Sequence, residues 1–232
     1  MKILVTSAKS NISKKIIMDL KKNHDVISTD VSGQNNHNFV QCQLDELRDT
    51  DLLLKDVDII INIGYDGQSG SDKILIDYYT RCIYNLLWSA SENGVSRVIN
   101  ISTLKLFETC YENLAITENW STHPISSDVN ILCAYLCEMV HKEFARDKKI
   151  KVTNIRIGFG DSNSTSFLSD GDLLKYLELI INYKQQIKKT PYQVPPQYWE
   201  TIHIQSKVPN QRFITKKFDS IFDQFRKNKN KE

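Results

Sequence analysis

The first thirty residues constrain this chain more than any other stretch. Ile3, Leu4 and Val5 make a short apolar run, Thr6 to Ser13 a polar turn, and Ile12, Ile16, Ile17 and Leu20 recur at the spacing of one helical face. Val26 and Ile27 then lead to an acid, Asp30. A strand, a helix and a second strand in so short a space form a β-α-β unit, with the two strands parallel and the helix laid across one face of the sheet.

The rest of the chain repeats the unit. Phe39 to Cys42 reads as a third strand, Asp51 to Leu54 as a short helix, and Asp58 to Ile63 as the apolar run of a buried parallel strand. Leu75, Tyr78, Tyr79, Ile83, Leu86, Leu87 and Ala90 mark a long crossover helix over 72–93, closed by Asn93 and Gly94. A fifth strand follows at Arg97–Thr103, then a loop over 108–128, a helix over 131–147 and a strand over 151–157. Ser169, Asp170 and Asp172 suit the start of a late helix carrying Leu173, Leu177, Ile180 and Ile181. Pro191, Pro195 and Pro196 mark a loop, Tyr198–Ile204 a last strand, and Ser220–Phe225 part of a short last helix. The expected fold is therefore α/β, a Rossmann-like, doubly wound, mostly parallel sheet with a small C-terminal addition. One domain over 1–232 is expected, in which 159–232 supply a reduced substrate side.

The first turn carries a more specific signal. Thr6-Ser7-Ala8-Lys9-Ser10-Asn11-Ile12-Ser13 keeps the frame of strand-T-G-x-x-G-x-[IL]-G with serine at all three glycine positions. In this frame the chain resembles the extended short-chain dehydrogenase/reductases, which include the NAD-dependent epimerase/dehydratases and uronate dehydrogenases. The resemblance covers most of the chain, including Arg156-Ile157-Gly158 and Phe167 to Leu173. It implies a nicotinamide dinucleotide bound by Ser7, Ser10, Asn11 and Ile12 at the turn and by Asp30 on the adenosine ribose. Leu44 and Asp45 would lie near the adenine, and Ile63, Gly64 and Tyr65 against the cofactor. Gly64 alone of these suits close backbone approach.

The same resemblance places Thr103 at the position of the family's catalytic hydroxyl and Tyr135 at that of its proton-transferring tyrosine. In the family a lysine stands four residues after the tyrosine; here that residue is Met139. A thioether carries no charge, so a Tyr135 phenol left at about 10 would be ionised in roughly one molecule in a thousand at neutral pH, a penalty of about 4 kcal/mol. Lys142 stands about 10.5 Å further along the helix axis. Lys105, just past Thr103, could swing toward the site. The plainer role of Met139 is in an apolar stripe with Leu132, Leu136 and Phe144.

The serines point the same way: a Cβ and hydroxyl at Ser10 would intrude where a diphosphate lies. Asp30 keeps NAD open and disfavours NADP, whose extra phosphate it would repel. On balance NAD is expected to bind weakly or not at all. The favoured reading is a degenerate, non-hydride-transferring pseudoenzyme that acts as a binding, regulatory or scaffolding subunit. The alternative is an active NAD-dependent sugar epimerase/dehydratase or uronate-like dehydrogenase with an atypical cofactor turn.

Composition narrows the partners. Thirty basic residues against 28 acidic give no argument for nucleic acid or an anionic membrane. The lysine-rich end, Arg226 to Lys231, reads as a solvated, frayed tail. Cys42, Cys82, Cys110, Cys133 and Cys137 show neither CxxC nor zinc-ligand spacing, so no metal is expected and the thiols read as small buried side chains. Met1-Lys2 runs straight into Ile3, and no apolar run is long enough to cross a bilayer, which implies a cytoplasmic protein with reduced thiols. The partners expected are a small sugar-like ligand and a second copy of the chain, packed through the helices at 72–93 and 131–147.

Overall fold

The computed structural model describes residues 1–183 and 198–229. Seven strands form one sheet in the order β3-β2-β1-β4-β5-β6-β7, with β1 Lys2–Val5, β2 Asp25–Asp30, β3 Phe39–Gln41, β4 Ile59–Ile63, β5 Arg97–Thr103, β6 Val152–Ile157 and β7 Trp199–Ile204. Every pairing is parallel, including β6 with β7, so the sheet is wholly rather than mostly parallel. This is a Rossmann-like α/β sheet, and the strand order reverses between β1 and β4.

The alternation within the strands explains the two layers. In β4, Ile59, Ile61 and Ile63 join Ile3, Val5, Ile99, Ile101 and Ile155 in one core, against α1 (Asn11–Leu20), α6 (Asp170–Asn182) and α7 (Lys216–Lys229). Ile60 turns the other way, with Leu4, Val98 and Val152, against α2 (Leu47–Leu53), α4 (Ile83–Glu92) and α5 (Val129–Arg146). A sheet buried on both faces needs strands that are apolar in both directions, which the isoleucine runs supply. Burying each such side chain contributes about 1.5 to 3 kcal/mol.

Several boundaries differ from expectation for identifiable reasons. The crossover helix is continuous in path but contains a π-helical turn at Tyr78–Cys82, between α3 (Asp72–Asp77) and α4. Tyr78 and Tyr79, at the start of this turn, are both buried and meet edge to face with ring centres 5.2 Å apart. The last helix is longer than expected and starts at Lys216, so Arg226 to Lys229 are helical rather than a frayed tail. Its apolar stripe begins with Phe218 and Ile221, both buried against α6. The third strand stops at Gln41, and the short helix starts earlier, at Leu47. The loop carrying Pro191, Pro195 and Pro196 lies outside the described residues.

No helix among the described residues is long and apolar enough to cross a membrane. All five cysteines are free thiols.

Candidate cofactor and substrate cleft

A parallel sheet opens a crevice at its carboxyl edge where the strand order reverses, because the adjacent crossover helices leave in opposite directions. Here that crevice is a cleft of about 710 Å³. It runs from Asp30 and Ser32, past Ser10, Asn11 and Ile12 at the start of α1, to Tyr65, Ile157 and Gly158. Beyond the Gln68–Ser69 loop lies a smaller hollow of about 290 Å³ bounded by Val31, Asp45, Ile74 and Arg81. The two share Val31, Gln68 and Ser69.

The serine turn folds without crowding this cleft. Ser7 takes a left-handed φ of 51°, the conformation a glycine would take, at a cost of about 1 to 2 kcal/mol. Its side chain is buried: Oγ accepts from Gln68 Nε2 at 3.0 Å and lies 3.3 Å from Tyr78 Oη. Those contacts tie the turn to the loop after β4, whose Gly67 and Gln68 N–H groups donate to Tyr79 Oη. Ser10 caps α1, accepting from Ser13 N at 3.1 Å and donating to Ser13 Oγ at 2.9 Å. Ser13 Oγ in turn donates to the Thr6 carbonyl. The Ser10 hydroxyl is thus folded onto its own helix, while the residue still lines the cleft. The first-turn N–H groups of Asn11 and Ile12 keep the open, electropositive character of a helix start.

The other sequence-selected residues divide between cleft and core. Asp30 lines the cleft, and its Oδ2 accepts from Lys9 N at 2.9 Å. Asp45 borders the smaller hollow, whereas Leu44 is fully buried and packs in the core. Ile63 is a core residue too. Gly64 is needed for a reason unconnected with a cofactor: a Cβ there would collide with Asn100 Oδ1. Sequence inspection missed Lys9, Val31, Gln68, Ile157 and Leu168 along these walls, because they are brought together from four separate connections.

Thr103, expected at the catalytic hydroxyl position, ends β5 fully buried and does not line the cleft; its Oγ1 accepts from Lys105 N at 3.1 Å. Tyr65 stands two residues beyond Ile63, the last residue of β4 paired with β5, and lines the cleft. Tyr65, Tyr135 and Phe159 pack together on an apolar cluster of Leu104, Phe107, Ile131 and Phe213. Lys105 Nζ lies 5.9 Å from the Tyr65 ring centre and 5.8 Å from that of Phe159. Burial pushes the Tyr65 phenol up, and the adjacent Lys105 ammonium opposes it.

Helix α5 is rotated relative to expectation. Of the proposed stripe, only Phe144 enters the core; Leu132, Leu136 and Met139 are half-buried on the flank. The face turned to the sheet carries Ala134, Cys137, Glu138 and His141. Glu138 can be buried because Arg156 on β6 donates to it twice, Nε to Oε1 at 2.9 Å and Nη2 to Oε2 at 2.7 Å. Burial alone would raise this carboxyl, but the guanidinium wins and holds it below the usual carboxylate range. Beside the pair runs a row of buried amides across the sheet. Thr6 Oγ1 donates to Asn62 Oδ1, Asn62 Nδ2 to Asn100 Oδ1 and Asn100 Nδ2 to Asn154 Oδ1, at 2.8 to 2.9 Å. No group of three or more metal-binding side chains occurs among the described residues.

Solved structures with this architecture include uronate dehydrogenases and a UDP-glucuronic acid 4-epimerase. A mutated uronate dehydrogenase aligns with TM-score 0.73 at 20% identity, covering 95% of this chain and 79% of that one. Glucuronic acid dehydrogenase from Chromohalobacter salexigens aligns with TM-score 0.75 at 18% identity, covering 95% and 82%. A tyrosine-to-alanine mutant of uronate dehydrogenase from Agrobacterium tumefaciens, complexed with NAD, aligns with TM-score 0.76 at 14% identity, covering 98% and 88%. This chain has their fold. No family model matches it, and no curated protein does at the level of sequence.

These findings correct the favoured functional reading. The pseudoenzyme acting as a regulatory or scaffolding subunit loses its support, since solved structures that share the fold over nine-tenths or more of this chain include dehydrogenases and an epimerase, some of them holding NAD. Weak or absent NAD binding loses its support as well. It rested on hydroxymethyl groups filling the diphosphate position, and the structure turns one into the core and the other onto its own helix.

Proposed function

We propose that this protein is an NAD-dependent dehydrogenase acting on a sugar-like, uronate-type substrate at the carboxyl edge of the sheet. The observation that carries the reading is the continuity of the cleft with the smaller hollow, from Asp45 through Asp30 and the start of α1 to Gly158. A dinucleotide is long, and a protein that had lost it would have no need of so long a groove. In this reading Asp30 accepts from the adenosine ribose hydroxyls, Val31, Asp45 and Ile74 enclose the adenine, and the N–H groups of Asn11 and Ile12 face the diphosphate. Lys9, on the same wall, adds positive charge that a glycine-rich turn lacks, whereas Lys15 is paired with Asp170 at 2.6 Å. Bound there, the dinucleotide would supply the hydride acceptor. The chain's part is to hold a substrate hydroxyl at the far end, where Tyr65 lines the cleft with Lys105 beside its ring.

Calorimetric titration with NAD tests this. Binding is expected, and Asp30→Ala should weaken it by about tenfold, near 1.4 kcal/mol. No heat of binding and no thermal stabilisation at millimolar NAD would overturn the proposal. A second copy packed along α4 and α5 is part of the same proposal; Tyr84 and Trp88 stack with ring centres 6.2 Å apart and stay partly exposed on that side.

A further inference from the structure

Proton transfer at a sugar hydroxyl needs a phenol or equivalent base at the reacting end of the cleft, together with a positive charge that stabilises its anion. The sequence suggests Tyr135 for the phenol but offers only Met139 one turn later. The structure adds that α5 turns Ala134 and Glu138, not Tyr135 and Met139, toward the sheet, and that Glu138 is already committed to Arg156. Tyr135 is half-buried behind the cluster and does not line the cleft.

A second phenol and a cation meet at the same place from other elements. Tyr65 follows β4 two residues past Ile63 and lines the cleft with Ile157 and Gly158. Lys105 is the second residue of the 3₁₀ turn Leu104–Phe107 after β5, with its backbone N–H donating to Thr103 Oγ1 and its ammonium 5.9 Å from the Tyr65 ring centre and 5.8 Å from that of Phe159; burial still keeps the phenol above its ordinary value, and Lys105 opposes that rise. We infer that Tyr65 Oη is the group that exchanges a proton with the substrate hydroxyl, and that Lys105 is the positioning residue that stabilises its anion. The inference rests on the dehydrogenase reading above. It moves the phenol and ammonium pair from one helix to the ends of two adjacent strands.

The chemistry balances simply. The substrate O–H bond would break with its proton passing to the Tyr65 phenolate, and a bound oxidised nicotinamide dinucleotide would supply the acceptor for the hydride that leaves with the C–H electron pair. In the reverse direction Tyr65 returns the proton to the forming alkoxide. Lys105 keeps its own proton throughout; the neighbouring phenol, with Glu108 and Asp128 at longer range, raises its pKa against the opposing effect of burial.

The test is spectrophotometric titration of tyrosine ionisation in the intact protein, wild type and variants, with Tyr65 identified as the component that Tyr65→Phe removes. Lys105→Met should raise that component by about one unit or more, and Lys105→Arg should restore most of the shift. A Tyr65 titration unmoved in Lys105→Met overturns the inference, whether or not any substrate is turned over. In turnover of D-glucuronate with NAD, Tyr65→Phe is expected to lower kcat at least a hundredfold with KM for NAD little changed. Tyr135→Phe should retain activity within about tenfold. The opposite ranking of the two phenylalanine variants also overturns it. Failure of the wild type to bind NAD would instead sink the dehydrogenase reading, so the two failures are distinguishable, and thermal melts of each variant show whether it folds.

Discussion

Acidification from pH 7 to pH 5 should remove about 4 kcal/mol of folding stability, because two histidines are folded into the sheet's polar layer in their neutral form. His141 on α5 and His203 on β7 are both fully buried. Burial pushes His141 down to about 4, and its Nδ1 hydrogen bond to the Cys137 carbonyl at 2.8 Å only partly offsets this. Burial, with the Arg156 guanidinium and Lys217 adding to it, pushes His203 down to about 3. In the unfolded chain both would titrate near about 6.5. The folded values lie below the unfolded ones, so falling pH protonates the unfolded chain first. The stability is fully present above about 6.5 and is lost progressively toward 4 and 3. Between pH 7 and 5 each histidine accounts for about 2 kcal/mol, out of a typical total of about 5 to 15. Glu138, held low by Arg156, loses its contribution only below the ordinary carboxylate range, outside this window. Glu200, pushed up by burial, works weakly in the other direction near the acid end. Urea unfolding followed by circular dichroism at several pH values measures the slope, and His141→Gln, which stays neutral, should reduce it by about half. Equal stability at pH 7 and pH 5, or a slope that His141→Gln leaves unchanged, would refute the reasoning.

Two further outcomes follow from the geometry. Glu138→Gln leaves the Arg156 guanidinium buried without its anion and should cost about 3 to 5 kcal/mol in thermal or chemical denaturation. Glu138→Leu combined with Arg156→Met should recover most of that, and an equal loss in the double variant would show that the ion pair was not the cause. Ser10→Gly should cost only a few tenths of a kcal/mol as a cap and leave NAD affinity within tenfold, about 1.4 kcal/mol; tighter binding beyond that would reinstate a steric role for the hydroxyl.

Most of the fold was legible in the sequence because it depends on periodicity. Isoleucines alternating through β4 and β5, and Ile12, Ile16 and Leu20 on one face of α1, fix which surfaces must be covered, and the β-α-β connection fixes the handedness. The acid at the end of β2 was readable for the same reason, since it acts within its own unit. Whether the serines obstruct the cleft was not readable. That depends on Tyr78 and Gln68 drawing the Ser7 hydroxyl inward, contacts spanning 71 and 61 residues.

The sequence by itself determined the strand and helix order, the parallel sheet and the location of a cleft at its carboxyl edge, because local pattern and chain connectivity suffice for these. The tertiary structure decided which face of α5 is buried, since a helix carrying both Tyr135 and Glu138 could turn either inward until Arg156, on a strand that follows it, supplies the charge that makes burial of Glu138 tolerable. It also decided which phenol stands beside a cation, because Tyr65 and Lys105 are neighbours only where two strands end side by side.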